Sequence, residues 1–202
     1  MSSAGPLIVL FIIILCFAVG VGALLAGCYG NKWITNDAGS INEGLWETCN
    51  VVFVKVCSKR GSLFKFEDAV GNGVEKDIIL LLLLSSALSA FLALIFSISM
   101  TCCLKRLSAW KCTAGIAFVF GIIASIAGFA GLGYSEKVFK NAWSSDFRHG
   151  WSSIICWVAS TLNFLGALLS CLVIPYSPPN YQPKINTRVG KPNPTFHGDN
   201  HW

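Results

Sequence analysis

The residues able to do chemistry are few, and nine cysteines lead them. Seven lie in long apolar runs or at their ends, while Cys49 and Cys57 sit together in a polar stretch. An isolated pair in one loop reads as a disulfide, which requires an oxidising compartment. So small a ring stabilises by roughly 2–3 kcal/mol; two free thiols are the alternative. Cys102, Cys103 and Cys112 form a second group, beside Lys105, Arg106 and Lys111. Juxtamembrane cysteines are acyl-transferase targets, and an attached chain strengthens anchoring; inert thiols are the alternative. Near the C-terminus, Pro178-Pro179-Asn180-Tyr181 matches PPxY, the ligand pattern of WW domains. Consecutive prolines pre-form a polyproline II helix, so docking orders little chain, and Tyr181 fills an aromatic-lined groove. A plain membrane-proximal spacer is the alternative, and a tail-peptide pull-down with WW domains separates the two.

Other chemistry is missing. His197 and His201 have a helical metal-ligand spacing but no third ligand, so no metal site is expected. His149 reads as an interfacial residue beside Trp151. Asn163 is the one strong amide in an apolar run and reads as a helix–helix hydrogen bond. No Gly-rich phosphate loop and no Ser/His/Asp grouping appears. A net charge of +5 is too small and scattered for nucleic acid. The expectation is a non-enzyme with no cofactor and no small-molecule substrate.

These groups must be held by helices in a bilayer. Of the 202 residues, 54% are hydrophobic and 12% charged, whereas soluble domains run near one-quarter charged. Runs at 7–28, 78–103, 113–134 and 151–174 contain no Asp, Glu, Lys, Arg or His. A span takes about 20 apolar residues, and these runs lack a strand's alternation. The first does not read as a cleaved signal, because residues 1–6 supply no positive start. Four spans leave both termini on one side, with loops 30–77 and 135–150 on the other. Basic residues divide nearly evenly, nine on the loop side and six on the other. The connector's Lys105, Arg106 and Lys111, with no acid among them, favour a cytoplasmic connector. The Cys49–Cys57 pair favours loops on the oxidising, extracellular side and cytoplasmic termini. The tail, 176–202, is Pro-rich and polar.

The first loop reads as strands. Residues 51–56 are strongly β-prone and 62–66 form a second candidate; 32–35 and 45–48 are weaker. A small antiparallel sheet resting on the outer ends of four helices fits. Val51, Val52, Phe53 and Val54 form an apolar run between the cysteines. Water is an unfavourable surrounding for it, at about 25 cal/mol per Å², so it reads as a partner contact, as packing on the protein's own sheet or as lying against the outer leaflet. Gly121, Ser125, Gly128 and Gly131 recur every three or four residues. That spacing lets helix backbones approach, within the bundle or along a lateral association face.

In order, Trp33, Gly44-Leu45-Trp46, Cys49 and Cys57 resemble the W–GLW–C–C signature of the claudin superfamily. That superfamily also holds peripheral myelin protein, the epithelial membrane proteins, lens fibre membrane protein and calcium-channel gamma subunits. Phe147, Gly150-Trp151-Ser152 and Trp157 resemble the start of its fourth helix. The resemblance covers roughly residues 7–175. It implies a left-handed four-helix bundle carrying an extracellular antiparallel sheet, an all-α membrane protein with a small β part. Leu45 and Trp46 then plug the sheet into the mouth of the bundle. The implied role is structural: a protein of cell–cell junctions, tight or septate, at the plasma membrane. Its partners are claudin-like proteins in the same and the opposing membrane, and the barrier, pore or adhesion forms between molecules. The alternative is an accessory subunit that regulates a channel or receptor, as the gamma subunits do.

Overall fold

The computed structural model describes residues 4–36, 41–51, 55–59, 73–102, 107–143 and 147–175. Four helices dominate: α1, Ala4–Tyr29; α2, Gly73–Cys102; α3, Leu107–Trp143; and α4, Trp151–Val173. Each is long and apolar enough to cross a membrane. The shortest has 23 residues, about 34 Å of helix, against a hydrocarbon layer of about 30 Å. Pro6 falls in the first turn of α1, where its missing N–H has no intrahelical acceptor to lose.

Packing inverts the pattern of a water-soluble protein. Leu7, Ile8, Phe11, Leu88, Ile126, Ile154 and Leu172 face outward. Ser86, Ser97, Ser125, Ser160, Asn163 and Ser170 are buried between helices. Large apolar side chains outside and small polar ones inside suit lipid as the surrounding solvent. The inner hydroxyls are satisfied locally: Ser97, Ser125, Ser160 and Ser170 each donate to the carbonyl four residues back. Ser86 Oγ instead crosses from α2 to the α3 carbonyl of Ala124 at 2.6 Å.

α1 packs on α2 and α4, and α3 packs on the same two, closing a ring of four. The stripe on α3 lies within this ring. A Cβ on Gly121 would meet Ala167 and Phe17, one on Gly128 would meet Ser160 and Ser86, and one on Gly131 would meet Leu82 and Leu83. The lateral-association reading of that stripe is therefore corrected to internal packing. Asn163 brings a second correction. It is fully buried, and neither its amide nitrogen nor its oxygen has a hydrogen-bond partner among the described residues. Its carboxamide lies where a Cβ of Gly20 would stand, with Oδ1 2.2 Å from that position. Glycine supplies room there but no donor, and its carbonyl already serves α1.

Two helices outrun the apolar runs that mark them. α3 takes in Lys111 and Cys112 at its start and continues through Trp143, so much of the stretch expected as the second loop is helical. Hydropathy stops at Glu136 and Lys137, but Val138 and Phe139 bury themselves against the bundle and carry the helix on. Lys140 in the last turn complements the helix dipole. α2 begins at Gly73 with Glu75 in its first turn, again the favourable sign.

Above one end of the ring lies an antiparallel sheet of five strands among the described residues: β1, Ile34–Asn36; β2, Ile41–Glu43; β3, Glu47–Val51; β4, Lys55–Lys59; and β5, Phe147–His149. Their order is β4-β3-β2-β1-β5. Residues 51–56 are not one strand. Val51 closes β3, Lys55 opens β4, and the two are register partners. β-propensity marks residues that suit an extended backbone; it does not locate the reversal. β2, with a single apolar residue, carried no such signal. The candidate at 62–66 lies outside the described residues.

Candidate functional site

The chain leaves α1 at Tyr29 and must turn at once into the sheet. The last carbonyls of any helix lack intrahelical partners. Here two indoles supply them. Trp33 Nε1 donates to the Gly27 carbonyl at 2.9 Å, and Trp46 Nε1 donates to the Cys28 carbonyl at 2.9 Å. Trp33 is 1% exposed, and Trp46 is half-buried with its ring stacked on Tyr29 at 6.0 Å. Leu45, 1% exposed, reaches into a cluster with Leu24 of α1, Ile79 and Leu83 of α2, Leu132 and Phe139 of α3 and Ala159 of α4, so all four helices contribute to it. Gly44 permits the approach: a Cβ would stand 2.9 Å from Asn31 Cα. Trp33 and Gly44-Leu45-Trp46 thus form one plug that seats the sheet on the helices.

Further contacts hold the plug. The Trp33 N–H donates to Glu43 O at 2.9 Å, continuing the β1–β2 ladder toward the helix. Glu43 is buried and ion-paired with Lys76 of α2. On the other side, the Gly150 N–H donates to Trp33 O at 2.8 Å and the Ser152 N–H to Lys32 O at 3.2 Å. β5 pairs with β1, His149 opposite Ile34. His149 Nε2 stands 3.5 Å from Glu136 Oε1, two turns before the end of α3. His149 is therefore a strand residue.

Cys49 and Cys57 are direct register partners in the β3–β4 ladder. Opposed residues of an antiparallel pair have Cα atoms about 4.5–5.5 Å apart, inside the range a disulfide spans. Val51 is the last residue of β3; Val52, Phe53 and Val54 lie outside the described residues. At the far end of the bundle, Cys102 closes α2 and Cys112 lies near the start of α3, both exposed. Cys103 lies outside the described residues, as do Pro178, Pro179 and Tyr181. The described residues hold no group of three or more potential metal ligands.

Sequence reasoning did not find the carbonyls of Gly27 and Cys28, the Glu43–Lys76 pair, or the contact of Cys28 with α4. The first had a visible signal. A helix end followed closely by two tryptophans offers carbonyl acceptors and matching donors.

Four apolar helices in a ring and an antiparallel sheet plugged into one end by a tryptophan and a Gly-Leu-Trp triplet define a four-pass membrane protein. The chain matches the PMP-22/EMP/MP20/Claudin family over residues 6–170, and it belongs to that family. No curated protein matches it.

Proposed function

We propose that the chain is a claudin-like structural protein of cell–cell contacts, with its sheet outside the cell and both termini in the cytoplasm. The observation that carries this reading is the seating of the sheet. Its motif residues are spent on fixing it to the helices, and β4 and β5 are its outermost strands among the described residues. A platform fixed so firmly to the bundle suits pairing with neighbouring molecules more than chemistry on a small substrate. The register of Cys49 and Cys57 supports a bridge between them, and with it the oxidising side for the sheet.

Expression in cells that lack junctions tests the proposal. The protein should concentrate where two expressing cells touch and stay low where an expressing cell meets a bare one. Diffuse staining that gathers only when a channel or receptor is co-expressed would favour an accessory subunit instead. Within the same assay, Phe53→Asp should lower contact enrichment severalfold while leaving surface delivery intact. Equal enrichment of variant and wild type would count against the 51–54 run as a partner surface.

At the opposite end, Cys102, Cys103 and Cys112 are proposed acylation sites, supported by the exposure of Cys102 and Cys112. Acyl-exchange labelling should detect thioester-linked lipid and lose most of it in the triple Ala variant. Labelling that the triple variant leaves unchanged would remove the assignment.

A further inference from the structure

Two cysteines outside the family motif meet under the sheet. Cys28, the second-last residue of α1, is 1% exposed, and Cys156, in the second turn of α4, is fully buried. Both stand as thiols in the structure, buried in one cluster and close enough for a hydrogen bond between them.

The close approach is built in by Gly27. A Cβ there would lie 2.3 Å from Cys156 Sγ, 2.9 Å from Ser152 O and 3.6 Å from Cys156 N. Any larger residue would push α4 away and part the thiols. Gly30 repeats the device one turn on, with a Cβ position 2.0 Å from Ser152 Oγ. The pair also lies at a junction. β1 follows α1, β5 leads into α4, and the two strands are neighbours. The Cys28 carbonyl is the acceptor for Trp46, and Cys28 and Cys156 belong to the same buried cluster as Trp33 and Leu45.

We propose that Cys28 and Cys156 are a disulfide site, forming a second bridge that staples α1 to α4 beneath the sheet. The inference rests on the orientation given above, which places this end of the bundle on the oxidising side. One thiol loses its proton to solvent and attacks a donor disulfide, either of a thiol–disulfide oxidoreductase or of oxidised glutathione. A mixed disulfide forms and one donor thiolate leaves. The second cysteine, as thiolate, then displaces the other donor thiolate. Two electrons pass to the donor, which leaves as two thiols after taking up two protons. Because both sulfurs are buried once the plug is seated, exchange takes place during folding. The finished bond is then shielded from reductant outside the cell. Its effect is to lock the α1–β1 turn to the β5–α4 turn, so that the sheet cannot tilt on the bundle when a partner pulls on it.

The test uses the full chain in cells. The protein is denatured without reduction and treated with hydroxylamine to clear thioesters, and its free thiols are counted with a mass-tagged maleimide. Cys28→Ser and Cys156→Ser should each carry one tag more than wild type, and the double variant the same number. If each single variant carries one tag fewer, the thiols are free and the proposal fails. Cys49→Ala separates the two readings. A gain of one tag there beside a loss at Cys28→Ser keeps the orientation and overturns the second bridge. A loss at both sites removes the orientation and the bridge together. Where a serine variant fails to reach the surface, mapping of unreduced wild-type peptides decides. A linked Cys28–Cys156 peptide supports the bridge, and two separately alkylated peptides overturn it.

Discussion

Trp33→Ala will leave the protein retained inside the cell, with surface delivery reduced at least tenfold, whereas Trp33→Phe will retain a measurable fraction of it. The indole is 1% exposed and packs in the cluster that includes Leu24, Leu45, Ile79 and Leu83. Removing so large a buried side chain costs about 3–5 kcal/mol in transfer and cavity terms. The alanine variant also strips the indole donor from Gly27 O, leaving that carbonyl only the longer bond from the Gly30 N–H at 3.2 Å. The phenylalanine variant fills most of the volume and loses chiefly that hydrogen bond, about 1–2 kcal/mol. Surface biotinylation beside total protein separates the two. Equal surface fractions for Ala and Phe would mean that packing at Trp33 does not hold the sheet to the bundle. A loss in Phe as deep as in Ala would place nearly the whole effect in the Gly27 hydrogen bond.

The same site shows which features of the fold are legible in sequence. A run such as 7–28 announces itself, because a charge-free stretch of that length has no comfortable place in water. Where a helix stops is harder to read. Glu136 and Lys137 end the apolar run, yet α3 continues to Trp143 because Val138 and Phe139 find a buried cluster that hydropathy cannot see. The sheet was legible as a sheet and misread in detail. Val51 and Lys55 look like parts of one strand until the ladder turns them into opposite partners. A one-dimensional propensity has no term for the partner across the ladder. The motif was legible as a plug through Leu45 and Trp46, since an apolar residue and an interfacial indole in a polar loop need somewhere to go. The atoms they meet were not, because Gly27 O and Cys28 O are backbone groups whose availability depends on where α1 ends. Asn163 marks the limit. Its residue type suggests a bond across helices, but the facing residue is Gly20, which has nothing to offer it.

Gly150→Ala should disrupt the seam between sheet and bundle more than an alanine at any other described glycine. Gly150 precedes α4 with φ −78° and ψ 165°, an extended conformation open to any residue, so its need for glycine is one of space. A Cβ would stand 1.9 Å from Lys32 O and 2.5 Å from Lys32 C. Those are backbone atoms and cannot swing aside as a side chain can. To relieve the clash, the α1–β1 turn must withdraw. Withdrawal breaks the bond from Gly150 N to Trp33 O and the bond from Ser152 N to Lys32 O together. Two hydrogen bonds at about 1 kcal/mol each, added to overpacking of about 1–3 kcal/mol, amount to a large share of a typical folding free energy. Gly44→Ala provides the graded comparison. Its Cβ would meet Asn31 Cα at 2.9 Å, close enough to strain a short loop that has more freedom to shift. Measured as detergent-solubilised melting temperature, the expected order is wild type highest, Gly44→Ala lower and Gly150→Ala lowest. Gly133→Ala, with nothing within 4 Å of its Cβ position, should remain at the wild-type value. A Gly150→Ala protein that melts with wild type would mean the β5–α4 turn can move without disturbing β1, and that the seam is not the rigid joint its contacts describe.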